Sequence, residues 1–213
     1  MIQYHKIQTV FLRDPATNHK TLMEGVWSKP EFELLKDIDW VCTEKIDGTN
    51  TRILWDGEQV IFGGKTDNAQ MPPVLQQALE STFSNEQMKE VFPDSKEVCL
   101  YGEGYGMKIQ SGGNYLPDRA DFILFDCKVG DWWLNREAQE DISEKLGIGI
   151  VPIMGHWKLE KAIEFVKTGF KSTIAANKEY MAEGLIMKPP VDLFNRKGER
   201  VITKIKYKDF LRA

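Results

Sequence analysis

Cysteine and histidine are scarce in this chain, with three of each. Cys42, Cys99 and Cys127 stand apart, each with apolar residues close by and none in a CxxC pair. That spacing argues against a thiolate zinc site and for reduced core thiols in a cytoplasmic protein. His5, His19 and His156 are equally scattered, which argues against a histidine metal centre or a catalytic triad. No apolar run approaches the ~20 residues that a membrane helix needs. The opening Met1-Ile2-Gln3-Tyr4-His5-Lys6 lacks the basic-then-apolar form of a signal peptide. Positive charge is not in excess: 28 Lys and Arg face 32 Asp and Glu, for a net charge of -4. Bulk electrostatics alone would therefore not hold nucleic acid. A local basic face remains open to the C-terminal segment, where Arg196, Lys197, Arg200, Lys204, Lys206 and Lys208 crowd together. Internal repeats, low-complexity stretches and linkers are also missing.

What is present suits a folded domain. The 213 residues, 42% hydrophobic and 28% charged, allow one large α/β or α+β domain, or two small ones. Residues 1–37 read as an irregular lead-in with one or two strands, one of them over residues 6–11, and a turn at Asp14-Pro15. Residues 38–46 read as a strand. Residues 51–55 and 59–62 read as the arms of a hairpin about Asp56-Gly57. Residues 63–67 form a loop. Residues 72–92 are two helices broken near Ser84, which with Gln87 resembles a capping box. Strands are expected over 97–103 and 122–129, with the glycine-rich 104–113 as a loop. Asn135 is placed to cap a helix that Gly147 ends. A strand over 148–153, a helix over 159–167, and strands over 184–188 and 201–207 complete the chain. Strands predominate and helices fall between them irregularly, which favours α+β with antiparallel sheets over a doubly wound fold.

The chemistry centres on Thr43-Glu44-Lys45-Ile46-Asp47-Gly48-Thr49-Asn50. Lys45 stands near a strand end, with a turn-forming Asp-Gly just behind it. A lysine becomes nucleophilic in a partly dry, cation-lined pocket that lowers its pKa. Taken alone, Lys-x-Asp-Gly also fits a surface lysine before a turn. Other strand segments change that balance. Glu103 follows Leu100-Tyr101-Gly102, and Asp126 follows Ile123-Leu124-Phe125. Glu183 precedes Gly184-Leu185-Ile186, and Lys204 and Lys206 alternate with Ile205 and Tyr207. Residues two apart in a strand share a face, so Lys204 and Lys206 point together. A nucleophilic lysine, carboxylates for a divalent cation and two lysines for phosphates are what nucleotidyl transfer requires. Phe125 suits stacking on a purine.

In this order, Lys45-Ile46-Asp47-Gly48, Tyr101-Gly102-Glu103-Gly104, Phe122-Ile123-Leu124-Phe125-Asp126, Glu183-Gly184-Leu185-Ile186-Met187-Lys188 and Lys204-Ile205-Lys206 resemble the collinear motifs of covalent nucleotidyltransferases. That superfamily holds ATP-dependent DNA ligases, RNA ligases and capping enzymes. Thr49-Asn50 and the ending Lys204-Ile205-Lys206-Tyr207-Lys208-Asp209-Phe210 look closest to small phage-type RNA ligases. The resemblance implies an ATP-grasp-like adenylation fold of two antiparallel sheets with flanking helices and the nucleotide between them. It implies that Lys45 takes AMP from ATP with Mg²⁺ or Mn²⁺, and that Lys204 and Lys206 grip the α-phosphate with help from Lys188. Glu44 and Ile46 would flank the nucleotide, Glu103 would contact the ribose beside Asp126, and Phe125 would stack on adenine. Glu183 and Asp126 would serve the metal. Arg52, Lys65 and Asn50 would meet the acceptor strand, a nucleic acid with 5′-phosphate and 3′-hydroxyl ends, RNA in preference to DNA.

Two departures accompany the resemblance. Lys65 stands where relatives often carry an arginine, so the charge is kept and the bidentate fork lost. The chain stops at Ala213, so the expectation is one adenylyltransferase domain over 1–213, without a C-terminal OB-fold or helical domain unless a partner supplies one. The setting implied is cytoplasmic, in a phage-infected or bacterial host. Three alternatives stay open: a minimal DNA nick ligase, a non-catalytic nucleotide- or RNA-binding module, and a capping guanylyltransferase. Trp132-Trp133 fits a cap on the sheet or a stacking surface for bases. The glycines of 104–113 do not form a P-loop, because no helix-opening Gly-Lys-Ser/Thr follows.

Overall fold

A computed structural model describes residues 3–211. The first two residues of the expected lead-in and the last two of the expected 1–213 domain lie outside the described residues. The chain opens with β1 (Gln8–Thr9), β2 (Phe11–Arg13), β3 (Leu22–Trp27) and the short α1 (Pro30–Leu34). This lead-in is more ordered than expected, and its first strand is split at Val10. The reason is that Val10 faces two ways: its N–H donates to the Lys204 carbonyl while its own carbonyl accepts from the Ser28 N–H. β4 (Trp40–Lys45) carries Lys45 as its last residue. β5 (Thr49–Trp55) and β6 (Val60–Gly63) form the expected hairpin, with Asp56 accepting from the Glu58 and Gln59 N–H groups in the turn.

α2 (Pro73–Thr82) and α3 (Asn85–Val91) part at Ser84, whose hydroxyl accepts from the Gln87 N–H. β7 (Val98–Gly106) and β8 (Ala120–Val129) pair over nearly their whole length. β7 runs beyond its expected end into the glycine-rich stretch. Gly102 and Gly104 are needed there for packing, since a Cβ would strike Phe122 at one and Leu75 at the other. β9 (Trp132–Trp133) folds back on β8. α4 (Arg136–Leu146) starts at an Asn135 cap and ends at Gly147, with φ +65°. The strand expected over 148–153 is two strands, β10 (Gly149–Ile150) and β11 (Ile153–Trp157), in different sheets. Pro152 lies between them and has no N–H to continue a ladder. α5 (Leu159–Thr168), β12 (Gly184–Lys188) and β13 (Thr203–Lys206) follow. No helix among the described residues is long and apolar enough to cross a membrane.

Two compact units arise from interleaved segments. One holds the segment ending at His5 together with Asp47–Val151 and Ile174–Asn177. Its sheet runs β10-β8-β7-β5-β6, antiparallel except for the parallel β10–β8 pair. Ile53, Trp55, Leu100, Phe122 and Leu124 share a core with Leu75, Leu79 and Met88 of α2 and α3 and Ile142 of α4. The other unit holds Lys6–Ile46, Pro152–Thr173 and the segment from Lys178 onward. Its sheet runs β1-β13-β12-β4-β11, antiparallel except for β1–β13. Trp40, Cys42, Leu185, Met187 and Ile205 bury against Leu159, Ala162 and Val166 of α5. The α+β architecture of two mainly antiparallel sheets with flanking helices is thus the one expected.

Candidate functional site

Strand parity assembles the lysines. Trp40 and Cys42 face the α5 core, so Val41, Thr43 and Lys45 project from the opposite face of β4. The same parity puts Gly184, Ile186 and Lys188 of β12, and Lys204 and Lys206 of β13, on that face. Register aligns them in rows. Lys45 lies opposite Gly184, which lies opposite Lys206; Thr43, Ile186 and Lys204 make the next row; Lys188 pairs with Val41. Gly184 has no side chain because a Cβ would run into the Ile205 carbonyl. Its bareness leaves room between Lys45 and Lys206.

Glu183 fills that room. Lys45 Nζ donates to its Oε2 and Lys206 Nζ lies at its Oε1, each at 2.5 Å. Burial alone would raise the Glu183 pKa, but the Lys45 charge and the hydrogen bonds from Lys206 and Lys45 hold it below the usual carboxylate value. Lys204 has no ion pair among the described residues. Burial, reinforced by the charges of Lys45 and Lys206, lowers its pKa to about 8. The face therefore presents cations in excess of its one carboxylate, in a partly dry setting suited to a phosphate chain.

Glu44 belongs elsewhere. It is buried on the core parity of β4, where it accepts from Ser172 Oγ at 2.5 Å, Thr173 Oγ1 at 2.7 Å and the Thr173 N–H at 3.0 Å. Its carboxylate ties down residues 172–173. Ile46 is likewise interior, at 3% exposure.

In the other unit, the sheet face away from the helices carries Asn50, Arg52, Tyr101 and Glu103. Asn50 stands opposite Glu103, and Arg52 opposite Tyr101. Asn50 Oδ1 is buried without a hydrogen-bond partner among the described residues. Gly48, which precedes this strand, is held to glycine because a Cβ would strike the Gly104 carbonyl. Arg52 is fully buried. Its Nε donates to the Gly64 carbonyl at 2.7 Å and its Nη2 to Asp67 Oδ1 at 2.9 Å. Arg52 thus braces the loop on which the exposed Lys65 sits.

β8 bulges beside this face. Tyr101 pairs with Asp126 and Gly102 with Leu124, so Phe125 is the extra residue. Phe125 stays partly exposed, while Asp126 is 1% exposed. Asp126 Oδ2 accepts from Tyr4 OH at 2.7 Å, and Oδ1 accepts from Gln139 Nε2 and the Cys127 N–H, both at 3.1 Å. Through these bonds Asp126 anchors Tyr4 and Gln139 to β8. Among the described residues, no group of three or more His, Cys, Asp or Glu is placed to hold a metal. Tyr4 also packs its ring on His5, Tyr101, Phe125 and Trp133, with centroids 4.6–5.7 Å apart. Trp133 joins this cluster and Trp132 is 79% exposed, so the expected cap on the sheet is Trp133 alone. Tyr4 and Gln139 carry no motif, and sequence reasoning passed over both. The one available signal was an aromatic residue between the polar Gln3 and His5.

A strand-end lysine thus shares a glutamate with a lysine of the final strand. A family model described as RNA ligase matches residues 38–206. The chain belongs to the RNA ligase family. Among solved structures it resembles a Naegleria gruberi RNA ligase mutant with AMP and Mn, at 18% identity and a TM-score of 0.69 over 99% of this chain and 57% of that one. A mutant of the same ligase with ATP and Mn, and the ligase with PPi, each match at 18% identity and a TM-score of 0.68 over the same shares. These likenesses show the fold. The chain spans 57% of the length of those ligase chains. No curated protein matches its sequence.

Proposed function

We propose that this protein is an ATP-dependent RNA ligase in which Lys45 carries the AMP. Lys45 Nζ, having released a proton, attacks the α-phosphorus of ATP; an N–P bond forms and pyrophosphate leaves. AMP then passes from Lys45 to the 5′-phosphate of an RNA end. Attack by a 3′-hydroxyl on that activated end forms the new phosphodiester and releases AMP. The observation that carries this reading is the Lys45–Glu183–Lys206 bridge. It holds the nucleophile beside a second cation, with Lys204 in the next row. Lys204 and Lys206 supply positive charge where the transferring phosphate gains negative charge. Among the described residues, Glu183 is the carboxylate on this face to which a Mg²⁺ or Mn²⁺ ion would bind. Such an ion takes most of its oxygens from phosphates and water, which fits a site with a single protein ligand. It would supply further charge neutralisation of the triphosphate. Three buried, unpaired cysteines support a reducing, cytoplasmic setting.

The test is intact mass after incubation with ATP and Mg²⁺, beside Lys45→Ala. A gain of one AMP, lost in the variant, is expected. Labelling retained in Lys45→Ala would overturn the assignment. Sealing of nicked duplexes with RNA or DNA on the 3′-hydroxyl side then separates an RNA ligase from a DNA nick ligase.

A further inference from the structure

Residues 191–200 form a hairpin that the proposed chemistry leaves unused. Its base is anchored. Leu193 packs on the core of its unit and its carbonyl accepts from the Val201 N–H. The buried Arg200 donates to Asp192 through Nε at 3.1 Å and Nη2 at 2.6 Å. Phe194 bridges Arg200 across the ladder. Its tip is stiff as well. Asn195 Oδ1 accepts from the N–H groups of Lys197 and Glu199, Gly198 turns the chain at φ +74°, and Lys29 pairs with Glu199 at 3.0 Å.

What this rigid hairpin shows to solvent is selective. Phe194 is 54% exposed and Val191 63%. Arg196 and Lys197 are exposed, and their side chains make no hydrogen bond or ion pair among the described residues. Both acids of the hairpin, Asp192 and Glu199, are already neutralised by Arg200 and Lys29. Two exposed cations that make no hydrogen bond or ion pair among the described residues, beside an open aromatic ring, therefore stand out on a chain of net charge -4. An aromatic face stacks on any base, and adjacent cations displace counterions from a phosphate backbone. A protein partner would be served by the ring and opposed by nothing, but it gives no reason for the two bare cations. A pre-stiffened tip also loses little entropy on binding.

We infer that the 191–200 hairpin holds a single-stranded nucleic acid, with Phe194 stacked on an unpaired base and Arg196 and Lys197 on neighbouring phosphates. The inference rests on the RNA ligase reading for its partner, and its test keeps the two apart. Binding of a fluorescent single-stranded RNA with a 5′-phosphate is measured against salt for the wild type, Phe194→Ala and the double variant Arg196→Ala/Lys197→Ala. AMP labelling of each protein with ATP alone is measured alongside. Phe194→Ala is expected to weaken binding about 10-fold. The double variant is expected to flatten the slope of log affinity against log salt by about 1.4, at about 0.7 per cation lost. Labelling with ATP stays at the wild-type level in both, which shows that the fold is intact. Wild-type affinity and slope in both variants would overturn the inference, as would a wild-type protein that labels with AMP but binds no RNA. A wild-type protein that binds RNA through this hairpin yet takes no AMP would overturn the ligase chemistry and leave the hairpin's role standing.

Discussion

Replacing Lys204 with methionine is expected to make the protein more stable and less active. Below pH 8 the fold must keep this lysine charged in a half-buried place, near Lys45 and Lys206 and without an ion pair of its own among the described residues. Its pKa falls from 10.5 to about 8, with burial the main cause and the two neighbouring lysines next. At about 1.4 kcal/mol per tenfold, that fall sets a ceiling of about 3 kcal/mol on the destabilisation. Solvent reaching the ammonium reduces it to about 1–3 kcal/mol. The folded chain binds this proton more weakly than the unfolded chain. The penalty is therefore complete below pH 8 and fades as pH rises from about 8 to 10.5. Methionine keeps an unbranched chain of similar length and removes the charge. Urea unfolding of both proteins at pH 7 and pH 10 reads the effect. The variant should gain about 1–3 kcal/mol at pH 7 and lose most of that gain at pH 10, while taking up AMP more slowly. A variant less stable than wild type at pH 7, or a gain equal at both pH values, would refute the claim that burial among like charges governs Lys204.

Three further outcomes are expected. Gly184→Ala pushes a methyl against the Ile205 carbonyl between Lys45 and Lys206; intact mass should show no AMP uptake, with a stability loss of about 1–3 kcal/mol by urea unfolding. Glu44→Gln weakens a buried acceptor of three hydrogen bonds and should lower stability by about 1–3 kcal/mol; an unchanged unfolding midpoint would show that the 172–173 tie contributes nothing. Tyr4→Phe keeps the ring contacts and loses the hydrogen bond to Asp126. The KM for ATP in AMP uptake should rise about 3- to 10-fold with little change in kcat, and Tyr4→Ala should raise it further. Identical KM values in all three proteins would remove Tyr4 from the nucleotide-binding face.

The parts of the site that the sequence made legible are those governed by local periodicity. The two-residue period of a strand places Lys204 with Lys206, and Lys45 at the end of β4, without any tertiary knowledge. Caps did the same for α3 and α4, where Ser84, Asn135 and Gly147 act within a turn of themselves. The parts that stayed hidden depend on distant partners. Arg52 and Asp126 are charged residues on strands, and nothing local says that Gly64 and Asp67 take up the one, or Tyr4 and Gln139 the other. Tyr4 lies 122 residues from Asp126. The break at Val10 has the same origin, since its two backbone groups answer to partners on opposite sides. Glycine misled in a different way. In β7 it marks close approach by Phe122 and Leu75, which a one-dimensional reading takes for a loop.

The bridge across Lys45, Glu183 and Lys206 also has a history within each molecule. Lys45 and Glu183 are 138 residues apart in the chain. During synthesis at about 5–20 residues per second, the lysine is made roughly 7–28 s before its carboxylate partner. Lys204 and Lys206 come later still. Throughout that interval β4 lacks its neighbour β12, and Lys45 has neither Glu183 nor Lys206 beside it. A chain released before Lys206 is made holds Lys45 without its bridge, which closes only once the strand carrying Lys206 has been added.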